Sequence, residues 1–130
     1  MNQAVDAHTK ESLEDIAPTT VKPDGYEDWQ VPWEKQVETI ADAVGKEDEG
    51  DKLIDDTEKA FEEFRHEHAE LQDKSAAIVM PYDGKIGLYT KEDGRGQFIE
   101  DLGMEIPDAL QGDGGSFFVD IAPENYAKLN

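Results

Sequence analysis

The sequence contains no cysteine. Thiol catalysis, disulfide bonds and cysteine-ligated zinc are therefore excluded. Basic residues are scarce, 12 against 32 acidic ones, for a net charge of −20. Such a chain repels phosphates, which argues against nucleic-acid binding through a basic face and against docking on anionic membranes. No apolar run reaches the length of a membrane span. The first residues lack the apolar core of a signal peptide, so the chain as written is not expected to export itself. Phosphate-loop signatures are missing too: neither Gly94-Arg95-Gly96 nor Gly112–Gly115 is followed by Gly-Lys-Ser/Thr.

What is present is a 130-residue chain that is 37% hydrophobic, enough for one modest core. Its acids are interleaved with apolar residues, which reads as salt adaptation. A DNA mimic, a calcium binder or a partly disordered chain fits the acidity as well. The acid-rich stretches Asp48–Asp56 and Asp108–Asp113 do not follow the ligand spacing of an EF-hand. His66 and His68 lie two residues apart on a predicted helix and do not share a face, and His8 is isolated, so no metal site is expected.

Periodicity divides the chain. Residues 1–17 are polar, with a short helical pattern over Lys10–Ile16. Ala17–Val21 reads as extended, because Pro18 biases its predecessor away from helix, and Pro23–Val31 reads as a loop. Pro32 suits a first helical turn. Trp33, Val37, Ile40 and Val44 then form one apolar face, continued by Leu53, Ile54, Thr57, Phe61 and Phe64. A long or kinked helix over about residues 32–70 is predicted, with Gly45 and Gly50 as its only strong interruptions, and Trp33, Phe61 and Phe64 as core residues. After Lys74 the pattern changes. Ala76–Met80 and Ile86–Thr90 are predicted strands around a turn at Pro81–Lys85. Gln97–Leu102 is a short helix closed by Gly103, and Met104–Ile106 a further strand. Phe117–Ile121 is extended, and a last helix begins at Pro123.

Several of these segments are similar to one family. Ile16-Ala17-Pro18-Thr19 resembles the strand that closes the N-lobe of siderophore-binding proteins. Pro32–Gln36 and Ile40–Glu47 resemble the start of their interlobe helix. Ala77–Tyr89, Gly96–Gly103 and Ser116–Leu129 resemble the opening of their C-lobe. The chain thus resembles the iron–siderophore substrate-binding proteins of ABC importers, the helical-backbone periplasmic binding proteins. The resemblance implies an α/β fold that is part of a two-lobed protein. Residues 1–31 would end the N-lobe, 32–73 form the backbone helix, and 74–130 open a partial C-terminal α/β lobe. Most of the N-lobe would be missing, and the chain would stop at Leu129-Asn130 where the family continues, which makes it a fragment.

The same resemblance implies a non-enzymatic function: capture of a ferric siderophore and delivery to ABC permease subunits. The parent would be extracellular, a cell-surface lipoprotein or a periplasmic protein, meeting the membrane only through a lipid anchor. No cofactor is expected, since iron arrives inside its chelate. Expected ligand contacts are Tyr82, Tyr89, Arg95, Ser116 and Phe117 at strand ends and loops, with Tyr26 and Trp29 in the linker. Aromatic rings supply contact area, and arginine supplies charge and a planar donor fork. Arg95 equally suits a solvated pair with Asp93 or Glu92, and Tyr82 and Phe117 equally suit rim or core packing. Arg95 also starts a short helix, where free N–H groups favour an anion. Glu124 is expected to dock the permease, and otherwise complements a helix N-terminus. Ala122 would cap that last helix weakly. Two rival readings remain: an acidic interaction module such as a DNA mimic or inhibitor, and a small α/β enzyme, for which no nucleophile or base is recognisable.

Overall fold

The computed structural model describes residues 4–129. Residues 1–3 of the polar N-terminal segment and Asn130, the last residue of the expected lobe, lie outside the described residues. The chain divides into two compact units, one ending at Glu58 and one starting at Lys59.

The first unit holds α1 (Ala7–Glu14), α2 (Trp33–Val44) and the first part of α3 (Glu47–Glu67). Asp6 caps α1 by accepting from the Thr9 N–H at 2.9 Å. The expected continuous helix is two helices. Gly45 ends α2 in the left-handed conformation (φ 67°), and the Lys46 N–H reaches back to the Ala41 carbonyl at 2.8 Å. Gly50, read above as an interruption, lies inside α3. A Cβ there would come within 2.5 Å of the Ala41 Cβ, so the glycine permits close approach of α3 to α2. Val31 and Ala41 are buried, whereas Ile40 and Val44 are exposed. The apolar face of α2 is therefore covered only in part within this unit, and Trp33 is half-buried rather than central.

The second unit takes the end of α3, a 3-10 turn at Ala69–Leu71, β1 (Val79–Tyr82), β2 (Lys85–Tyr89), α4 (Gly94–Asp101), a 3-10 turn at Asp108–Leu110, β3 (Phe118–Ile121) and a closing 3-10 helix (Pro123–Leu129). The strands form an antiparallel sheet in the order β1-β2-β3. Met80 is opposite Gly87 in the first pair, and Gly87 is opposite Asp120 in the second. The predicted strand at Ala76–Met80 becomes regular only at Val79. Ala76 instead donates to the Glu105 carbonyl at 2.9 Å, and the expected strand at Met104–Ile106 reduces to a single parallel bridge, Ser75 with Glu105. The last helix is 3-10 rather than α.

Alternation sorts the strands by face. Leu88 and Ile121 point to one side and join Ile99, Ile106 and Leu110 in the core, with Ile86, Val119, Met104 and Tyr126 against it. Phe61 and Phe64 are half-buried at the edge of this unit; Phe61 meets Phe98 edge-on at 6.0 Å. The other side of the sheet carries Met80, Tyr82, Gly87, Tyr89, Phe118 and Asp120.

Candidate functional site

That second face is an aromatic platform built around Phe118. The Phe118 ring lies across Gly87: a Cβ at residue 87 would fall within 1.9 Å of the ring. With no side chain at 87, Phe118 reaches over β2 and meets both flanking tyrosines. Its ring centroid is 5.6 Å from Tyr82 and 5.0 Å from Tyr89, at interplanar angles of 55° and 57°. These are favourable tilted pairs. Phe117, just before β3, approaches Phe118 at 6.4 Å. The Tyr89 hydroxyl donates to the Met80 sulfur at 3.4 Å.

Arg95 extends the platform. Its guanidinium carbon sits 3.6 Å from the centre of the Tyr89 ring, a cation–π contact. Asp93 holds it there. One carboxylate oxygen accepts from the Arg95 Nε at 2.7 Å and the other from Nη2 at 2.8 Å. The first oxygen also accepts the Arg95 backbone N–H at 2.8 Å and so caps α4. The expectation of an anion at this helix start is thereby corrected: the anion is Asp93, from within the chain. Hydrogen bonding to Asp93 holds the guanidinium above its usual pKa, so it is charged at any physiological pH.

The loop carrying Asp93 is fastened from below. Thr90, nearly fully buried, donates its hydroxyl to the Ser116 carbonyl at 2.5 Å and accepts the Glu92 N–H at 3.2 Å. Buried Gln111 accepts the Lys91 N–H at 3.2 Å and donates to the Ile106 carbonyl at 3.0 Å. The Ser116 hydroxyl donates to the Phe118 carbonyl at 2.7 Å, which makes its role in the platform local to the strand start. At the hairpin end, Asp120 accepts from the Tyr82 hydroxyl and from Lys85 Nζ, the latter at 2.8 Å. Lys85 and then Tyr82 lower the Asp120 pKa, while Asp120 raises those of both partners.

The fold thus brings together Tyr82, Tyr89, Arg95, Ser116 and Phe117. Tyr26 and Trp29 belong to the first unit. Tyr26 is half-buried and gives its carbonyl to Lys22 Nζ at 2.5 Å; Trp29 is exposed, in a left-handed backbone conformation (φ 67°). Glu124 is exposed in the first turn of the closing 3-10 helix. Among the described residues no cluster of three or more potential metal ligands exists, and no helix is long and apolar enough to cross a membrane.

The model of the family described as "Periplasmic binding protein" matches residues 2–130. The chain belongs to this periplasmic binding protein family. The solved structures similar to it include the iron uptake ABC transporter substrate-binding protein PiaA from Streptococcus pneumoniae TIGR4, at 27% identity and a TM-score of 0.78 over 98% of this chain and 45% of PiaA. PiaA in complex with ferrichrome matches at 27% identity and a TM-score of 0.78, over 95% of this chain and 43% of that one. The FhuD protein from S. pseudintermedius matches at 28% identity and a TM-score of 0.77, over 98% of this chain and 46% of FhuD. No curated protein matches the chain. The chain spans less than half the length of these solved proteins, and its α/β architecture is that of part of a two-lobed periplasmic binding protein. Periplasmic binding proteins bind solutes and are not enzymes.

Three participants in this candidate site escaped the sequence reading, Phe118, Gly87 and Thr90, and Asp93 was read only as one of two possible partners of Arg95, not as a helix cap. Strict alternation in Phe118-Val119-Asp120-Ile121 was the available signal for Phe118. An aspartate directly before a short helix was the signal for the Asp93 cap.

Proposed function

We propose that this chain is part of the substrate-binding component of an ABC importer, and that its aromatic platform contacts a ferric siderophore for delivery to the permease. The observation that carries the reading is the arrangement of half-buried Tyr82, Phe118 and Tyr89 with exposed Arg95 on the second face of the sheet. Its likeness to PiaA, a protein seen with ferrichrome bound, supports the same direction.

The chemistry suits the ligand. A ferric siderophore satisfies its metal with its own oxygens, so the protein need supply no metal ligand. What remains to be recognised is a rounded surface of amide, hydrocarbon and chelating oxygen. Tilted aromatic rings supply large contact area with few rotors to freeze. The Arg95 N–H groups not taken by Asp93 can donate to chelate oxygens. Tyr26 and Trp29, in the first unit, are proposed as separate ligand contacts, and Phe117 and Ser116 complete the strand start of the platform. Iron is cargo within its chelate, and no cofactor is needed. The parent protein works outside the cytoplasmic membrane, held by a lipid anchor or free in the periplasm. Glu124 is the docking charge, because an exposed rim carboxylate steers and orients a basic partner surface.

Titration of the full-length protein with ferrichrome tests this reading. Tyr89→Ala should weaken binding by roughly tenfold or more, as expected for a lost aromatic anchor. Glu124→Arg should leave that affinity unchanged while blocking uptake in cells. Unaltered ferrichrome affinity in Tyr89→Ala would refute the platform as the ligand wall.

A further inference from the structure

We propose that Asp93 sets the charge preference of the platform: it pins the Arg95 guanidinium over Tyr89 and cancels its charge, so that the face favours uncharged or cationic ferric chelates over anionic ones. The proposal rests on the reading of this face as the siderophore wall.

The asymmetry of the pair is the key observation. The Asp93 side chain is 3% exposed and the Arg95 side chain 47% exposed. The carboxylate is therefore a fixture of the scaffold, and the guanidinium is what a ligand meets. Asp93 spends both oxygens on Arg95, and among the described residues Arg95 is its only cationic partner. A buried carboxylate without its cation is strongly disfavoured, so the pair stays closed. One edge of the guanidinium is locked to Asp93, its face lies on Tyr89, and its remaining edge is open.

This arrangement changes what the arginine can select. A free guanidinium attracts anions; one already neutralised by a bidentate carboxylate offers oriented donors with little net charge. The second charged pair on this face, Lys85 with Asp120, is likewise self-compensated at 2.8 Å. Both cations, Arg95 and Lys85, are thus paired with carboxylates, in a sequence whose own net charge is −20. Ferric tris-hydroxamates are uncharged, whereas ferric tris-catecholates carry three negative charges. The former meet donors and rings, and the latter meet repulsion, a discrimination against the wrong ligand rather than for the right one.

The test uses the full-length protein, titrated at fixed ionic strength with ferrichrome and with the ferric tris-catecholate trianion. Asp93→Asn should shift the affinity ratio toward the catecholate by about tenfold, the scale of one unmasked charge near a trianion in a mostly aqueous setting. Asp93→Ser keeps a good helix cap but no charge, and should shift the ratio equally; this guards against a mere folding defect. In an Arg95→Gln background, Asp93→Asn should move the ratio less than about twofold. A ratio unmoved by both Asp93 variants, or moved equally with and without Arg95, overturns the proposal. If Arg95→Gln alone binds ferrichrome like wild type, the siderophore-wall reading falls and the proposal falls with it. If Arg95→Gln is weakened but the Asp93 ratio stays fixed, the proposal alone is lost.

Discussion

Gly96→Ala offers a test in which the sign alone is decisive. Gly96 lies in the first turn of α4, and replacing a helical glycine by alanine ordinarily stabilises by about 1 kcal/mol. Here the added Cβ would fall 2.0 Å from the Thr90 carbonyl oxygen, 2.5 Å from its carbonyl carbon and 2.9 Å from the Lys91 Cα. All three are backbone atoms and cannot rotate away. Restoring even a tight 3.0 Å contact requires α4 and the Thr90–Lys91 segment to separate by about 1 Å. That displacement pulls at the Asp93 cap, at the buried Thr90 hydroxyl and at Arg95, the residue next to the substitution. Overpacking costs about 1–3 kcal/mol, and loosening a buried hydrogen-bonded group adds about 1 kcal/mol. Set against the propensity gain, a net destabilisation of about 1–3 kcal/mol is expected. Urea unfolding reads the stability, and ferrichrome titration reads the platform, which should weaken as Arg95 shifts. A Gly96→Ala protein as stable as wild type, or more so, would refute the packing of α4 on Thr90 and the support that packing gives the platform.

Two further outcomes follow from charge. With 32 acidic and 12 basic residues, self-repulsion should be relieved as salt shortens the Debye length from about 10 Å at 0.1 M to about 3 Å at 1 M; the melting temperature should climb over that range in KCl, and a flat profile would exclude salt adaptation. Asp120 has a lowered pKa in the folded state, caused first by Lys85 and then by Tyr82, so its stabilising contribution is present above the unfolded carboxylate value near 3.9 and is lost as pH falls through its lower folded value. Asp120→Asn should therefore remove stability at pH 7 and flatten the acid limb below about pH 4 in a pH-resolved unfolding series.

The elements that sequence patterning located are those fixed by local contrast. Short apolar runs between turn residues marked the strands, and α4 announced itself through Phe98, Ile99 and Leu102. What patterning missed depends on atoms from a distant segment. Gly50 looks like a helix breaker until Ala41 is placed against it, and Gly87 looks like a weak strand position until Phe118 lies over it. Gly45 was legible as a strong interruption, but the apolar spacing continues on both sides, and only the left-handed φ decides between a kink and an end. At the candidate site, Arg95 and both tyrosines stood out by chemical type. Asp93 stood out only as one of two acids able to pair with Arg95; its burial and its two-oxygen grip on Arg95 set it apart from Glu92.

Burial of polar groups explains why the platform is held where it is. Among the described residues, the buried polar or charged ones are Thr90, Asp93 and Gln111, and all three serve the loop between β2 and α4. Burying such groups is unfavourable unless each is bonded, and each is: Thr90 to Ser116 and Glu92, Asp93 to Arg95, Gln111 to Ile106 and Lys91. Thr90 links the loop to the start of β3, and Gln111 links it to the chain beyond α4. An exposed arginine on a free loop would sample many rotamers and forfeit about 2 kcal/mol of side-chain entropy on meeting a ligand. Arg95 has already given up much of that freedom to Asp93 and Tyr89. In the proposed role as a ligand wall, the buried polar cradle does what an apolar core cannot: it fixes the direction of one donor edge beside the aromatic rings, and orientation set before a ligand arrives lowers the entropy that binding must overcome.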